Sequence, residues 1–229
     1  MKTISFKPLW LWEPALAHKI PRLIVFEGID GSGKTTVSRR FESHLRQRGI
    51  DTVWLREPGD SPAGKRIRQL ARSQHRISIA DELAYFIDDR RWDVSYNILP
   101  ALKRGKTVIM DRYFYSNACY QGARGVDPEL IIRLNLEFAP LPDLVFIIDA
   151  DVDTALERIK KNRRGEAKLF EKKQFLTRVR ENYLALKGKR FIVINGNLAV
   201  EEVVAEVIAR FELFLNPPSS QRPNPVKMD

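Results

Sequence analysis

The chain has 229 residues, of which 44% are hydrophobic, and its formal net charge is +10 at pH 7. This is enough for one globular domain with one buried core, and a single cysteine, Cys119, excludes an intrachain disulfide framework. No apolar run approaches the roughly 20 residues that span a bilayer, and the N-terminal stretch lacks the long apolar centre of a signal peptide. We therefore expect a cytoplasmic protein in a reducing compartment, without membrane contact, in which Cys119 is a packed small residue rather than a nucleophile.

The positive charge leaves two classes of partner open. Basic proteins often bind nucleic acid, but enzymes that bind two polyanionic nucleotides also collect arginines. Lysines and arginines are spread along this chain, and the one dense basic run, residues 160–164, is by itself typical of a solvated face. Because the length leaves little room for a separate nucleic-acid module, nucleic-acid binding is the less favoured prediction.

The two ends of the chain differ in composition from the centre. Residues 1–21 contain three prolines and are predicted to form an appended arm; Trp10 and Trp12 favour packing of this arm on the domain or on a partner, because disordered segments are poor in aromatics. Residues 216–229 are rich in proline and polar residues and are predicted to be a disordered tail. The domain is predicted to span residues 22–215.

The most informative motif follows the apolar run 23–26. Gly28, Gly33, Lys34 and Thr35 match the pattern G-x-x-x-x-G-K-[ST] between a predicted strand and a predicted helix. Such a loop directs its backbone N–H groups inward as an anion nest, and the helix N-terminus and the lysine add positive charge. Thr35 can hold a Mg²⁺ ion that bridges the nucleotide phosphates. The motif predicts a nucleoside triphosphate site, interpreted as an ATP site, formed by Gly28, Ile29, Asp30, Gly31, Ser32, Gly33, Lys34, Thr35 and Thr36.

Short apolar, β-branched segments alternate with helical periodicity along the rest of the chain. Segments with so little polar alternation suit strands that are buried on both faces. The alternation predicts an α/β fold of the P-loop NTPase type, a five-stranded parallel sheet flanked by helices, with a lid segment. The predicted strands are 23–26, 52–55, 107–110, 144–148 and 191–194, and the predicted helices are 35–47, 63–72, 79–90, 95–103, 128–136, 152–160, 171–186 and 199–214.

Polar motifs follow the predicted strands, where ligands bind in such folds. Phe26-Glu-Gly-Ile-Asp30 follows the first strand, Arg56-Glu-Pro-Gly the second and Asp111-Arg-Tyr the third. Two further motifs are Phe86-Ile-Asp-Asp-Arg90 and the stretch from Ser116 to Gly122. Taken in order over about residues 23–214, this set of motifs resembles that of the thymidylate kinase family.

Phosphoryl transfer between two nucleotides depends mostly on positioning and charge neutralisation. Arg56 and Arg112, at the ends of neighbouring strands, are predicted to clamp the acceptor phosphate, a role that the resemblance also implies; a surface ion pair is the alternative. Asp111 is predicted to hold Mg²⁺ through water, together with Thr35. The resemblance implies that Asp30 contacts Mg²⁺ or the acceptor sugar hydroxyl, and stabilisation of a turn is the alternative for this residue.

The resemblance also assigns residues to the acceptor nucleoside. Phe86 would stack on the base, Arg90 would hydrogen-bond a base carbonyl, and Asn117 and Tyr120 would lie around the base and sugar. An aromatic ring packed under the ribose would exclude a 2′-hydroxyl and so favour a deoxynucleotide. The helical periodicity by itself favours core packing for Phe86, because two other apolar residues share its face.

The basic segment 158–170 is predicted to be a lid that excludes water when it closes. The family divides according to whether a catalytic arginine stands in the phosphate loop or in the lid, and the loop Asp30-Gly-Ser-Gly33 has none. The resemblance therefore implies a lid arginine, and among Arg158, Arg163 and Arg164 it favours the last two jointly as catalytic residues beside Lys34 and Asp30. Lys168-Leu169 stands where many relatives have an Asp-Arg pair, so no single arginine is selected.

The resemblance implies a homodimeric, Mg²⁺-dependent enzyme that transfers a phosphoryl group from ATP to dTMP and releases ADP and dTDP. Asp60-Ser61 and Trp92 depart from the family motifs, and Trp92, near the predicted base site, leaves another acceptor such as dUMP open. The third hypothesis is a P-loop ATPase that binds nucleic acid, which predicts hydrolysis stimulated by DNA or RNA and binding that weakens steeply with salt.

Overall fold

The computed structural model describes residues 22–73, 77–160 and 169–216, without the side chains of residues 160 and 169–171. The predicted arm 1–21, residues 161–168 of the predicted lid and residues 217–229 of the predicted tail lie outside the described residues.

Within the described ranges the chain forms one sheet of five parallel strands, in the order β2-β3-β1-β4-β5. This confirms the predicted sheet. Each strand runs one residue beyond its predicted end, and in every case the added residue is polar. The strands are β1, Leu23–Glu27; β2, Thr52–Arg56; β3, Thr107–Asp111; β4, Leu144–Asp149; and β5, Phe191–Asn195.

The helices lie on both faces of this sheet, and two features differ from the prediction. The helix at 114–122 was not predicted; all its residues except Tyr120 and Gly122 are buried, so it lacks the polar face that marks a surface helix. The predicted break between residues 90 and 95 is absent, because a π-helical turn, Val94–Ile98, joins the flanking helices. The helices are α1, Lys34–Gln47; α2, Pro62–Arg72; α3, Ile79–Asp93; α4, Leu99–Lys103; α5, Phe114–Gly122; α6, Pro128–Leu136; α7, Val152–Lys160; α8, Leu169–Ala185; and α9, Val200–Leu215.

The core has two layers because β1 is buried on both faces. Leu23 and Val25 contribute to the layer under α5 and α8, and Ile24 and Phe26 to the layer under α1 and α9. In the second layer, the rings of Phe26 and Phe41 have centroids 5.6 Å apart. Burial on both sides fixes the sheet, and with it the positions of the polar residues that end its strands. None of the described helices is long and apolar enough to cross a membrane.

Candidate active site

The phosphate loop connects β1 to α1 and depends on glycine at two close approaches. Gly28 has φ 143°, and a Cβ atom there would lie 2.5 Å from the carbonyl oxygen of Ile148. Gly31 has φ 85° and packs against the backbone of Ala155. Since a side chain at either position would collide with backbone, these glycines hold the loop against β4 and α7.

Lys34 begins α1 and is buried behind the loop, where its Nζ donates to the carbonyl oxygen of Ile29 at 3.2 Å. Burial, together with the charge of Arg112, lowers the pKa of Lys34 to about 8, although Asp30 and Asp111 oppose the shift. A cleft of about 530 Å³ opens over this loop. Its walls include Asp30, Lys34, Thr35, Thr36, Arg56, Arg158 and Lys172, of which Lys172 was not predicted.

Thr35 and Asp111 meet at the floor of the cleft. The Oγ1 of Thr35 donates to Oδ2 of Asp111 at 2.5 Å, and Nε of Arg56 lies 3.7 Å from the same oxygen. The other oxygen, Oδ1, is buried without a hydrogen-bond partner among the described residues. Over the same residues no cluster of three or more His, Cys, Asp or Glu could enclose a metal. The donor set fits Mg²⁺, which keeps several waters and is held by few protein oxygens and by substrate phosphates.

Arg112 follows β3 and bridges to the phosphate loop. Its Nη2 pairs with Oδ1 of Asp30 at 2.6 Å, its Nη1 donates to Oγ of Ser116 at 2.9 Å, and the guanidinium lies 5.2 Å from the centre of the Tyr120 ring. The Tyr120 hydroxyl in turn accepts from the backbone N–H of Asp30 at 2.9 Å. Burial opposes ionisation of Asp30, but the charges of Arg112 and Lys34 lower its pKa. The structure therefore brings together Asp30, Arg112 and Tyr120, which the sequence assigned to one site.

Arg90 is buried, and each of its three guanidinium nitrogens donates to a neighbouring side chain. Its Nε lies 2.9 Å from Oε2 of Glu57, Nη1 donates to Oδ1 of Asn135 at 2.6 Å, and Nη2 donates to Oδ1 of Asn117 at 2.8 Å. Burial raises the pKa of Glu57, and Arg90 opposes that shift. Arg90 and Asn117, two predicted base-site residues, are thus in direct contact. Glu57 and Asn135 were missed: Glu57 belongs to a recognised motif, whereas Asn135 had no sequence signal.

Phe86 is half-buried on α3 and belongs to neither core layer of the described chain. The same is true of Leu83 and Ile87, which share its helical face. The interpretation of Phe86 as a core residue is therefore wrong.

Asp89, one helical turn further along α3, was not predicted as a site residue. It accepts from the backbone N–H of Gly59 at 2.7 Å and holds the turn after Arg56.

Of the three candidate lid arginines, Arg163 and Arg164 lie outside the described residues. Arg158 is described, at the end of α7. Its Nη1 donates to the carbonyl oxygen of Gly196 at 2.9 Å and lies 3.4 Å from that of Ser32, so this arginine ties the phosphate loop to the turn after β5. Cys119 is buried, as expected, and burial raises the pKa of its thiol.

The sheet order, the phosphate loop and the arginine at the neighbouring strand end define the class of this protein. It is a P-loop nucleotide phosphotransferase, with the phosphate loop after β1 and Arg56 and Arg112 at the ends of the two neighbouring strands.

Comparison with known proteins identifies the family to which the chain belongs within this class. The family model for thymidylate kinase matches residues 26–207. A probable thymidylate kinase of Archaeoglobus fulgidus is 43% identical over 194 residues, covering 85% of this chain and 96% of that protein. The thymidylate kinase of Akkermansia muciniphila is 42% identical over 186 residues, covering 81% and 89%. The crystal structure of thymidylate kinase from Ehrlichia chaffeensis matches with a TM-score of 0.67 at 32% identity, covering 84% of this chain and 98% of that one.

The chain belongs to the thymidylate kinase family, the nucleoside monophosphate kinases that phosphorylate dTMP to dTDP with ATP.

Proposed function

We propose that the cleft binds ATP on the phosphate loop and the phosphate of dTMP against Arg112, so that the γ-phosphoryl group passes between them in line. The observation that carries this proposal is the direct contact between the phosphate loop and a strand-end arginine: Arg112, after β3, pairs at 2.6 Å with Asp30 of the phosphate loop. A phosphate bound to Arg112 would therefore lie next to the loop that holds the donor.

The donor side is formed by backbone N–H groups from Gly28 to Thr36, with Lys34 at the start of α1. A triphosphate placed here meets the positive end of that helix and the ammonium group of Lys34. Binding of the phosphates adds negative charge beside a lysine whose pKa is about 8 in the free protein, and this keeps Lys34 protonated when the nucleotide is bound.

On the acceptor side, Arg112 and Arg56 bind the phosphate of dTMP and reduce its repulsion from the donor. A nucleoside monophosphate is already largely dianionic at neutral pH, because its second pKa is about 6, so its oxygen attacks without a general base. Asp30 then holds Arg112 in place or receives the sugar hydroxyl. The Tyr120 ring, centred 5.2 Å from the Arg112 guanidinium, would exclude the 2′-hydroxyl of a ribose packed on it.

Mg²⁺, if bound, would be held by Thr35 and, through water, by Asp111, whose Oδ1 has no hydrogen-bond partner among the described residues. At this position the ion would supply positive charge to the phosphates of the nucleotide.

The base of dTMP would stack on Phe86 and be read by Arg90 and Asn117. The partly buried side chain of Phe86 supports stacking, because it belongs to neither core layer of the described chain. The contact of Arg90 with Glu57, Asn135 and Asn117 supports a fixed direction for its guanidinium. The catalytic arginine is assigned to Arg163 or Arg164 of the lid, because residues 28–35 of the phosphate loop contain no arginine.

The protein is also proposed to be a homodimer. Support comes from an exposed apolar stripe on the continuous helix α3 to α4: Tyr96 is 67% exposed, Leu99 is 38% exposed, and the Tyr96 ring lies 5.2 Å from that of Trp92. Sedimentation equilibrium tests this assignment, since Tyr96→Glu should shift a dimer to a monomer and a monomeric wild type would refute it.

A cytoplasmic location is proposed because the single cysteine is buried and unpaired.

The experiment for the proposed function is a phosphotransfer assay on the purified chain with ATP, Mg²⁺ and a panel of monophosphates at equal concentration. The proposal predicts ADP and dTDP in a one-to-one ratio and kcat/KM highest for dTMP. An equal kcat/KM for dUMP would instead identify a kinase with a broader acceptor specificity. ADP release that needs no monophosphate and rises with DNA or RNA would instead identify a nucleic-acid-dependent ATPase.

A further inference from the structure

Arg112 has a backbone conformation that needs support. Its φ is 74°, in the left-handed region that residues with a Cβ atom enter at a cost of order 1 kcal/mol. Its backbone N–H donates to the carbonyl oxygen of Phe26 at 2.9 Å, which fixes the residue on the side of β1. On the other side the chain enters α5, and the support for that turn comes from outside the helix.

Glu27, the last residue of β1, provides this support. Its carboxylate is fully buried, and Oε1 accepts from the backbone N–H groups of Tyr113 at 2.9 Å and Ser116 at 3.1 Å. The side chain of Tyr113, at the N-cap position, makes no capping hydrogen bond. Glu27 therefore takes the place of a side-chain cap, since it accepts from the N-cap residue and from the third residue of α5.

The second carboxylate oxygen connects Glu27 to the guanidinium of Arg112 through Ser116. Oε2 accepts from Oγ of Ser116 at 2.6 Å, and that hydroxyl accepts from Nη1 of Arg112 at 2.9 Å. Because Arg112 donates to this hydroxyl, the serine can direct its own proton at Glu27. The same carboxylate thus fixes both the backbone turn and the side-chain direction of Arg112.

Tyr183 of α8 completes the network. Its hydroxyl donates to Oε2 of Glu27 at 2.9 Å and lies 2.9 Å from Oγ of Ser116. The ring is 1% exposed, and burial raises the pKa of the hydroxyl, so it remains a donor at neutral pH. Without Tyr183, Oε2 would keep one donor and the carboxylate could turn away from Ser116.

We propose that Glu27 and Tyr183 are positioning residues for Arg112, which direct its guanidinium at the phosphate of the acceptor nucleotide. The inference rests on the proposed function, in which Arg112 binds that phosphate. Neither residue needs to touch a nucleotide, and both act through Ser116.

Tyr183→Phe tests this inference, because it removes one hydroxyl and keeps the buried ring. The control is Tyr115→Phe, which removes a hydroxyl from another buried tyrosine, one whose ring packs 5.1 Å from that of Phe191. Calorimetric titration with dTMP and with thymidine, which lacks the phosphate, separates the contributions. Tyr183→Phe should weaken dTMP binding about tenfold, the effect of losing support for a charged hydrogen bond, with thymidine binding and the KM for ATP unchanged. Tyr115→Phe should change none of these.

A double-mutant cycle with Arg112→Lys shows whether Tyr183 acts through Arg112. The expected result is that Tyr183→Phe has little further effect on dTMP binding once Arg112 is lysine, whereas independent roles would give additive losses. Ser116→Ala, which breaks the connection at its centre, should reproduce the loss seen in Tyr183→Phe. Unchanged dTMP binding in Tyr183→Phe, an equal loss for thymidine, or additive losses in the cycle would overturn the inference. A wild type that does not phosphorylate dTMP would instead refute the proposed function.

Discussion

The two sides of the proposed nucleotide site, a donor side and an acceptor side, are built differently. The donor side is a loop of backbone N–H groups shaped by Gly28 and Gly31, with Lys34 as its buried charge. The acceptor side is made of side chains held by other side chains: Arg112 by Asp30 and Ser116, and Arg90 by Glu57. A phosphate loop can therefore be recognised from a short local motif, whereas an acceptor site depends on contacts between residues far apart in sequence.

Lys34→Ala should have the largest effect on activity. It removes the donor-side charge that stabilises the transferred phosphoryl group, and kcat should fall by at least about 10³-fold. Steady-state assays with saturating ATP and dTMP measure the loss, and circular dichroism checks that the fold is kept. Activity within tenfold of wild type would show that the loop does not hold the reacting phosphates.

Arg90→Ala should have the largest effect on stability. It leaves the carboxylate of Glu57 buried without its ionic partner, which costs about 3–5 kcal/mol in the free energy of unfolding. The matched control is Arg40→Ala, which breaks the exposed pair with Glu201 and should cost less than about 1 kcal/mol. Urea denaturation gives both values, and equal values would contradict a buried, tightly coupled acceptor side.

Phe86→Ala should affect the acceptor alone. Stacking of an aromatic ring on a base contributes about 1–3 kcal/mol, so the KM for dTMP should rise about tenfold or more while the KM for ATP stays the same. Leu83→Ala, on the same helical face, serves as the control. It should leave the KM for dTMP within about twofold, because Leu83 is aliphatic and does not stack on the base. Similar effects of the two substitutions would mean that Phe86 contributes packing only.

The pH dependence should distinguish the donor side. Since the pKa of Lys34 in the free protein is about 8, the charged form is lost as the pH rises through this value. The kcat/KM for ATP should therefore fall about tenfold between pH 7 and pH 9. Lys34→Arg keeps its charge over this range and should remove the decline, even if its activity is lower throughout. A decline that persists in the arginine variant would assign the titration to another group.

Much of the fold could be predicted because buried parallel strands are apolar and separated by helices. The predicted strand ends were each one residue early, since hydrophobicity stops before backbone pairing does: Phe26 still pairs with Asp111, and Asp149 with Asn195. This difference has a functional meaning. The residues left out include Glu27 and Asp111, which are buried carboxylates at the carboxyl edge of the sheet.

The candidate site was predicted in part for the same reason. Arg112, Asp30 and Tyr120 belong to motifs, and the structure brings them together. The partners that hold the acceptor side, such as Asn135 and Tyr183, lie on helices where their amide and hydroxyl groups look like ordinary polar positions. Only the packing of α6 against α5, and of α8 against α5 and β4, reveals which donors and acceptors face each other.

The separation of the two sides is tested most directly by calorimetric binding of ADP and of dTMP to Lys34→Ala and Arg112→Ala. Lys34→Ala is expected to lose affinity for ADP and to keep its affinity for dTMP, while Arg112→Ala should show the opposite pattern. Loss of both ligands in Arg112→Ala, or retention of dTMP binding there at the wild-type level, would contradict a cleft with a backbone-built donor side and an arginine-built acceptor side.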